Sequence, residues 1–166
     1  MMRLKKGGWP GEVSVTNRQS KIPVPTAGVR RAAKKILSAL GYESYDLSIV
    51  LVEDEEITRL NRRYFRRNRP TNVISFPMAM SGGAPSALQT RVLGDVVISA
   101  ETASRQAEEA GRRREEEILF LLIHGILHLV GYDHEGTGEA QGEMEAKEEQ
   151  LFSSLMPPGR RKQSVF

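Results

Sequence analysis

All the histidines of this chain fall in one stretch, HGILHLVGYDH, as His124, His128 and His134. On a helix, His124 and His128 stand one turn apart on the same face, close enough to share an ion. Gly131 can take positive φ and end that helix. Tyr132 and Asp133 then lead the chain back so that His134 supplies a third nitrogen. Three imidazoles at about 2.0–2.1 Å suit Zn²⁺ and leave its fourth tetrahedral position for water, as in a catalytic site. The plainer reading makes these core histidines bonded to ordinary neighbours. The complete set beside a turn glycine favours the metal, which Ni²⁺, Cu²⁺ or Fe²⁺ would also satisfy.

The same spacing occurs in zinc peptidases of the HExxHxxGxxH type, but Gly125 stands where those enzymes keep a glutamate. That glutamate moves the proton between water and the leaving amine. Without it peptide cleavage lacks its shuttle, whereas phosphodiester cleavage of RNA has a built-in 2′-OH nucleophile and gains from charge stabilisation at phosphoryl oxygens.

Charge supports a polyanionic partner. The net charge is only +3, yet Arg59, Arg62, Arg63, Arg66, Arg67 and Arg69 follow one another with no acid between them. Such a stripe suits a nucleic-acid backbone, or is simply a solvated helix face. Residues 112–114 are arginines answered at once by glutamates at 115–117. The absence of cysteine excludes disulfides and thiolate chemistry. No apolar run follows the basic N-terminus, so no secretory signal is expected. The longest apolar run, residues 118–130, would extend only about 20 Å as a helix, short of a bilayer. These features fit a cytoplasmic protein.

The elements that must position the histidines follow from pattern. Strands are expected over residues 12–17, 46–54, 72–78 and 93–99. Pro77 suggests that the third lies at an edge. Helices are expected after a possible cap at Thr26, over 55–65 with Pro70 to end it, over 100–111, from 115 through the histidines, and over 138–155. The fold class is α+β: a single compact domain whose mixed, mainly four-stranded sheet packs with about five helices. Its bounds are read as 12–156, with a flexible N-terminus at 1–11, a mobile Gly/Pro-bearing loop at 81–91 and a loose basic tail at 157–166.

HGILHLVGYDH resembles the signature of the YbeY-type endoribonucleases, the bacterial rRNA maturation factors. LNRRYFRRNRPTNVISFPM, LGDVVISAETASRQAEEAG and MEAKEEQLFSSL are similar to further segments of that family. The resemblance covers residues 13–155. It implies one zinc-type ion held by His124, His128 and His134. It also implies a cytoplasmic, single-strand-specific, metal-dependent endoribonuclease acting at the 16S rRNA 3′ end and in ribosome quality control. The implied partners are single-stranded or ribosomal RNA and the small subunit or its factors, with no membrane and no DNA. Many members carry an arginine directly after the tyrosine, lining a proposed RNA groove. Here Phe65 follows Tyr64, and Arg66 comes one place later. Arg66 is therefore the candidate catalytic arginine, with Arg63, Arg67 and Arg69 as candidate RNA-binding residues. A one-residue offset on a helix turns a side chain by about 100°.

Other residues carry two readings each. Asp133 orients a histidine or serves the turn. Ser75 and Phe76 meet a nucleotide or pack the strand. Glu101 reads as an acid of a helix start more than as a base. A zinc peptidase and a non-catalytic ribosome assembly factor remain the rivals.

Overall fold

Alternating β-branched and aliphatic residues lay down four strands, and the computed structural model describes the chain over residues 10–78, 91–133 and 137–156. β1 (Val13–Asn17), β2 (Asp46–Val52), β3 (Val73–Pro77) and β4 (Val92–Ser99) form one sheet in the order β1-β2-β4-β3. β1, β2 and β4 run parallel, and β3 is antiparallel to β4. β3 is thus an edge strand, which tolerates Pro77 and its missing N–H donor.

Five helices cover this sheet unequally: α1 (Thr26–Leu40), α2 (Asp54–Phe65), α3 (Ala100–Glu109), α4 (Arg114–Leu129) and α5 (Gly138–Leu155). Leu47, Ile49 and Leu51 of β2, with Val96 and Ile98 of β4, enter the main core beneath α1, α3, α4 and α5. The alternate residues Val50, Val52, Val97, Ile74 and Phe76 face the other side, where Ile57 and Leu60 of α2 meet them. α4 buries Ile118, Leu119, Leu122, Ile123, Ile126 and Leu127, as expected of a helix apolar on most sides.

The expected elements are all present, with shifted ends that have local causes. Thr26 is the first residue of α1 rather than its cap; Pro25 precedes it, and among the described residues no side chain caps the helix. β2 stops at Val52 because Asp54 already opens α2. α2 ends at Phe65, well before Pro70, because Arg66 adopts a left-handed conformation at φ 57°. The Arg66 N–H then bonds to the Arg62 carbonyl, and Arg67 N–H to that of Asn61. The 81–91 loop lies outside the described residues except for Arg91, as do the 157–166 tail and residues 1–9 of the N-terminus.

Candidate active site

α4 presents its histidines as helical spacing requires. The Nε2 atoms of His124 and His128 stand 3.1 Å apart, with ring centroids at 4.7 Å and planes inclined by 77°. Two ligands on a tetrahedral ion with arms of 2.0–2.1 Å lie about 3.3 Å apart, so the pair is spaced as two corners of such a site. On its other side, His124 Nδ1 meets Glu148 Oε1 of α5 at 2.5 Å. Glu148 is only 8% exposed. The donor set is nitrogen with a carboxylate behind it, which fits a zinc-type ion. Among the described residues no group of three or more histidine, aspartate or glutamate side chains gathers as a metal site. His134 lies outside them.

Gly125 has a packing explanation. A Cβ there would lie 2.7 Å from Val96 Cγ1, 3.2 Å from Ser75 Oγ and 3.3 Å from Val73 Cγ2. Position 125 therefore faces the sheet, pressed against β3 and β4, while its neighbour 124 turns toward α5. Ser75 Oγ donates to the Gly125 carbonyl at 2.8 Å and ties helix to edge strand. A glutamate at this position would enter the sheet contact. At the far end, Gly131 takes φ 104°. Its N–H bonds to the His128 carbonyl and that of Tyr132 to the Leu127 carbonyl. This closing turn satisfies two helix-end carbonyls. Asp133, exposed, follows in the same turn.

The arginines occupy the opposite side of the sheet. Arg59 pairs with Glu55 at 3.1 Å, and Arg63 lies over the Tyr64 ring at 5.5 Å. Arg62, Arg63, Arg66, Arg67 and Arg69 are exposed and, among the described residues, pair with no carboxylate. Because α2 ends at Phe65, the direction of Arg66 is set by its left-handed backbone and not by a helical 100° offset. No hydrogen bond or ion pair within the described residues joins Arg63, Arg66, Arg67 or Arg69 to the histidine pair. The edge strand β3 links the two regions: Ser75 faces α4, whereas Phe76 meets Tyr64 edge-on at 4.9 Å on the α2 side. Ser75 and Phe76 therefore serve different faces, and Phe76 packs against Tyr64. Between α2 and the sheet runs a groove of about 580 Å³, lined by Val50, Leu60, Tyr64, Phe76, Asp95 and Val97 among others.

Two structural residues escaped sequence reasoning. Asn61, buried in α2, donates to the Arg69 carbonyl at 2.9 Å and shapes the arginine-bearing turn. Glu148 backs His124. Each is a polar residue on an otherwise apolar helical face, Asn61 after Ile57 and Glu148 between Met144 and Leu151, and that misfit was the available signal. Glu101, in the first turn of α3, accepts the Asp54 N–H at 3.1 Å and pairs with Lys21, contacts that suit an acid of a helix start.

A sequence model of the family described as Endoribonuclease YbeY matches residues 14–156. The chain belongs to that family. It is 50% identical over 149 residues to an endoribonuclease YbeY of Geobacter metallireducens, covering 89% of this chain and 98% of the relative. With the endoribonuclease YbeY of Geobacter sulfurreducens it shares 51% over 145 residues, 87% of this chain and 95% of that one. That of Aquifex aeolicus is 43% identical over 127 residues, 76% and 81% of the two chains. The solution structure of a Thermotoga maritima protein, 24% identical, shares the fold with a TM-score of 0.62, covering 93% of this chain and 96% of that one. The YbeY family model thus takes in both the histidine-bearing α4 and the arginine turn. No helix of the described residues is long and apolar enough to cross a membrane.

Proposed function

We propose that this YbeY-family chain is a metal-dependent endoribonuclease that cuts single-stranded RNA in the cytoplasm. Its substrate is ribosomal RNA, at the 16S 3′ end and during ribosome quality control, with the small subunit or its factors as partner. The observation that carries this reading is the convergence of His124 and His128 through their Nε2 atoms, 3.1 Å apart, in a chain whose relatives are named endoribonucleases. His134 is the third ligand of this proposal. A bound Zn²⁺ would supply Lewis-acid stabilisation of charge on phosphoryl oxygens. The chain's own residues do the rest. His124 and His128 hold the ion at the end of a rigid, buried helix. Gly125 keeps α4 seated on β3 and β4. The arginines of α2 and its turn receive phosphates by charge, without reading sequence. An RNA strand using both regions crosses the β3 edge, which favours a flexible single strand over a stiff duplex. The peptidase reading is weakened by the inward facing of position 125.

The test is cleavage of single-stranded rRNA fragments by the purified chain with and without chelator. Cleavage is expected to stop with chelator, to return on adding zinc, and to fall at least about 100-fold in His124→Ala. Unchanged cleavage in that variant, with its fold intact, defeats the metal mechanism. A folded metal-site variant that keeps full cellular function would instead favour a ribosome assembly factor.

A further inference from the structure

Glu148 is an acid in an apolar setting. It lies between Met144 and Leu151 on the buried side of α5. Burying a carboxylate carries a large desolvation cost unless a donor meets it. The donor is His124, whose Nδ1 approaches Oε1 at 2.5 Å. Where the carboxylate accepts in this contact, Nδ1 carries the proton and a neutral imidazole keeps its lone pair on Nε2. That Nε2 is the atom facing His128. The contact also ties α5 to α4, the two helices joined in sequence by the segment that contains His134.

We infer that Glu148 is the positioning residue of the metal centre: by accepting the Nδ1–H of His124 it fixes the tautomer and aims Nε2 at a divalent cation shared with His128. This rests on the metal reading above, although the tautomer itself is a property of the ion-free chain. Glu148 does not touch the ion or the substrate. It acts through His124, in the way a carboxylate behind a histidine raises ligand basicity and locks ring orientation. It also does not replace the glutamate missing at position 125, since it approaches the ring from the side away from His128.

The test uses the full chain and the variants Glu148→Gln and Glu148→Ala, with two readouts. Two-bond ¹H–¹⁵N spectra of the metal-free protein report the His124 tautomer, and competition against a chromophoric chelator reports zinc affinity. The wild type is expected to show the Nδ1–H form. Glu148→Ala should lose that preference and bind zinc about 10–100-fold more weakly. Glu148→Gln, whose amide oxygen still accepts, should keep the tautomer and recover most of the affinity. An Nε2–H tautomer in the wild type overturns the proposal, and this spectrum needs no variant to fold. Wild-type zinc affinity in a folded Glu148→Ala overturns the positioning role while leaving the metal centre standing. A wild type that takes up no divalent cation removes the metal reading and the positioning role with it.

Discussion

The two faces of the sheet differ in how tightly they are built. On one, α1, α3, α4 and α5 close a core in which Leu122, Ile123, Ile126 and Leu127 are fully covered, and the histidine pair sits at its margin. On the other, α2 is the one helix among the described residues over Val52, Ile74 and Val97, leaving Tyr64 49% and Phe65 44% exposed beside an open groove. The dense face holds two nitrogens at a fixed spacing, which the binding of one ion demands. The thin face displays charge on long side chains, which attraction to a polyanion tolerates. Precision is thus paired with packing, and adaptable charge with exposure.

The sharpest way to break this contrast is to load the dense face. Gly125→Glu places a carboxylate against Val96 and Val73, where an uncompensated buried charge costs about 3–5 kcal/mol. A melting point lower by at least about 6 °C is expected, with no gain of peptidase activity. Gly125→Ala is milder. Helix propensity returns about 1 kcal/mol, but the 2.7 Å approach to a stiff valine methyl on a strand costs about 1–3 kcal/mol. Net destabilisation of about 1 kcal/mol is expected by denaturant unfolding. A stabilised Gly125→Ala would mean that α4 is free to shift, and the precision argument would fail.

Asp54 tests the seam between the faces, where α2 meets α3. Its Oδ1 accepts from Ser99 and Thr102, each at 2.6 Å, and Arg105 reaches Oδ2 at 2.7 Å. Burial alone would push this carboxyl up, but the three hydrogen bonds and the Arg105 charge together hold it below the ordinary carboxylate value. A depressed folded pKa stabilises above the unfolded value of about 3.9, and that contribution is lost as pH falls through the lower folded value. Asp54→Asn should therefore cost about 1–2 kcal/mol near pH 7. The penalty should shrink as acid protonates the wild type. Glu117 on α4 has the opposite sign. Burial raises its pKa, with Arg112 at 3.5 Å opposing the rise. Its charged form is disfavoured, so Glu117→Gln should cost little at neutral pH and fare worst relative to wild type in acid, where the protonated glutamate is at ease. Urea midpoints measured from pH 3 to pH 8 compare the two slopes.

Much of this arrangement was legible in the sequence because it rests on periodicity and on glycine. Spacing of four put His124 and His128 together, Gly131 closed α4, and Pro77 placed β3 at an edge. What the sequence concealed depends on contacts between elements distant in the chain. Glu148 reaches His124 across 24 positions, and Ser75 reaches the Gly125 carbonyl across 50. Glycine at 125 reads locally as a lost catalytic group, while the valines that exclude any side chain come from β3 and β4. What stops α2 at Phe65 was hidden for a different reason. A left-handed arginine is uncommon enough that no pattern announces it, and Pro70 offered a more familiar stop.

Arg66 offers the finest test, because its backbone and its charge can be separated. Its φ of 57° costs a residue with a Cβ about 1 kcal/mol, a strain glycine escapes. Arg66→Gly should raise stability by at most about 0.6 kcal/mol, allowing for the larger unfolded-state entropy of glycine, whereas Arg66→Ala keeps the strain and should melt with the wild type. Both lose the same guanidinium. If the thin face contributes only charge, both should bind single-stranded RNA about two- to fivefold more weakly, with the salt dependence shallower by about 0.7 in logarithmic slope. Turnover of bound RNA should then be unchanged. A loss of 100-fold or more in the cleavage step, at equal RNA affinity and in both variants, would put the guanidinium at the reacting phosphate. The division of labour between the two faces would then be wrong, since the turn after α2 would have to reach around β3 into the histidine site.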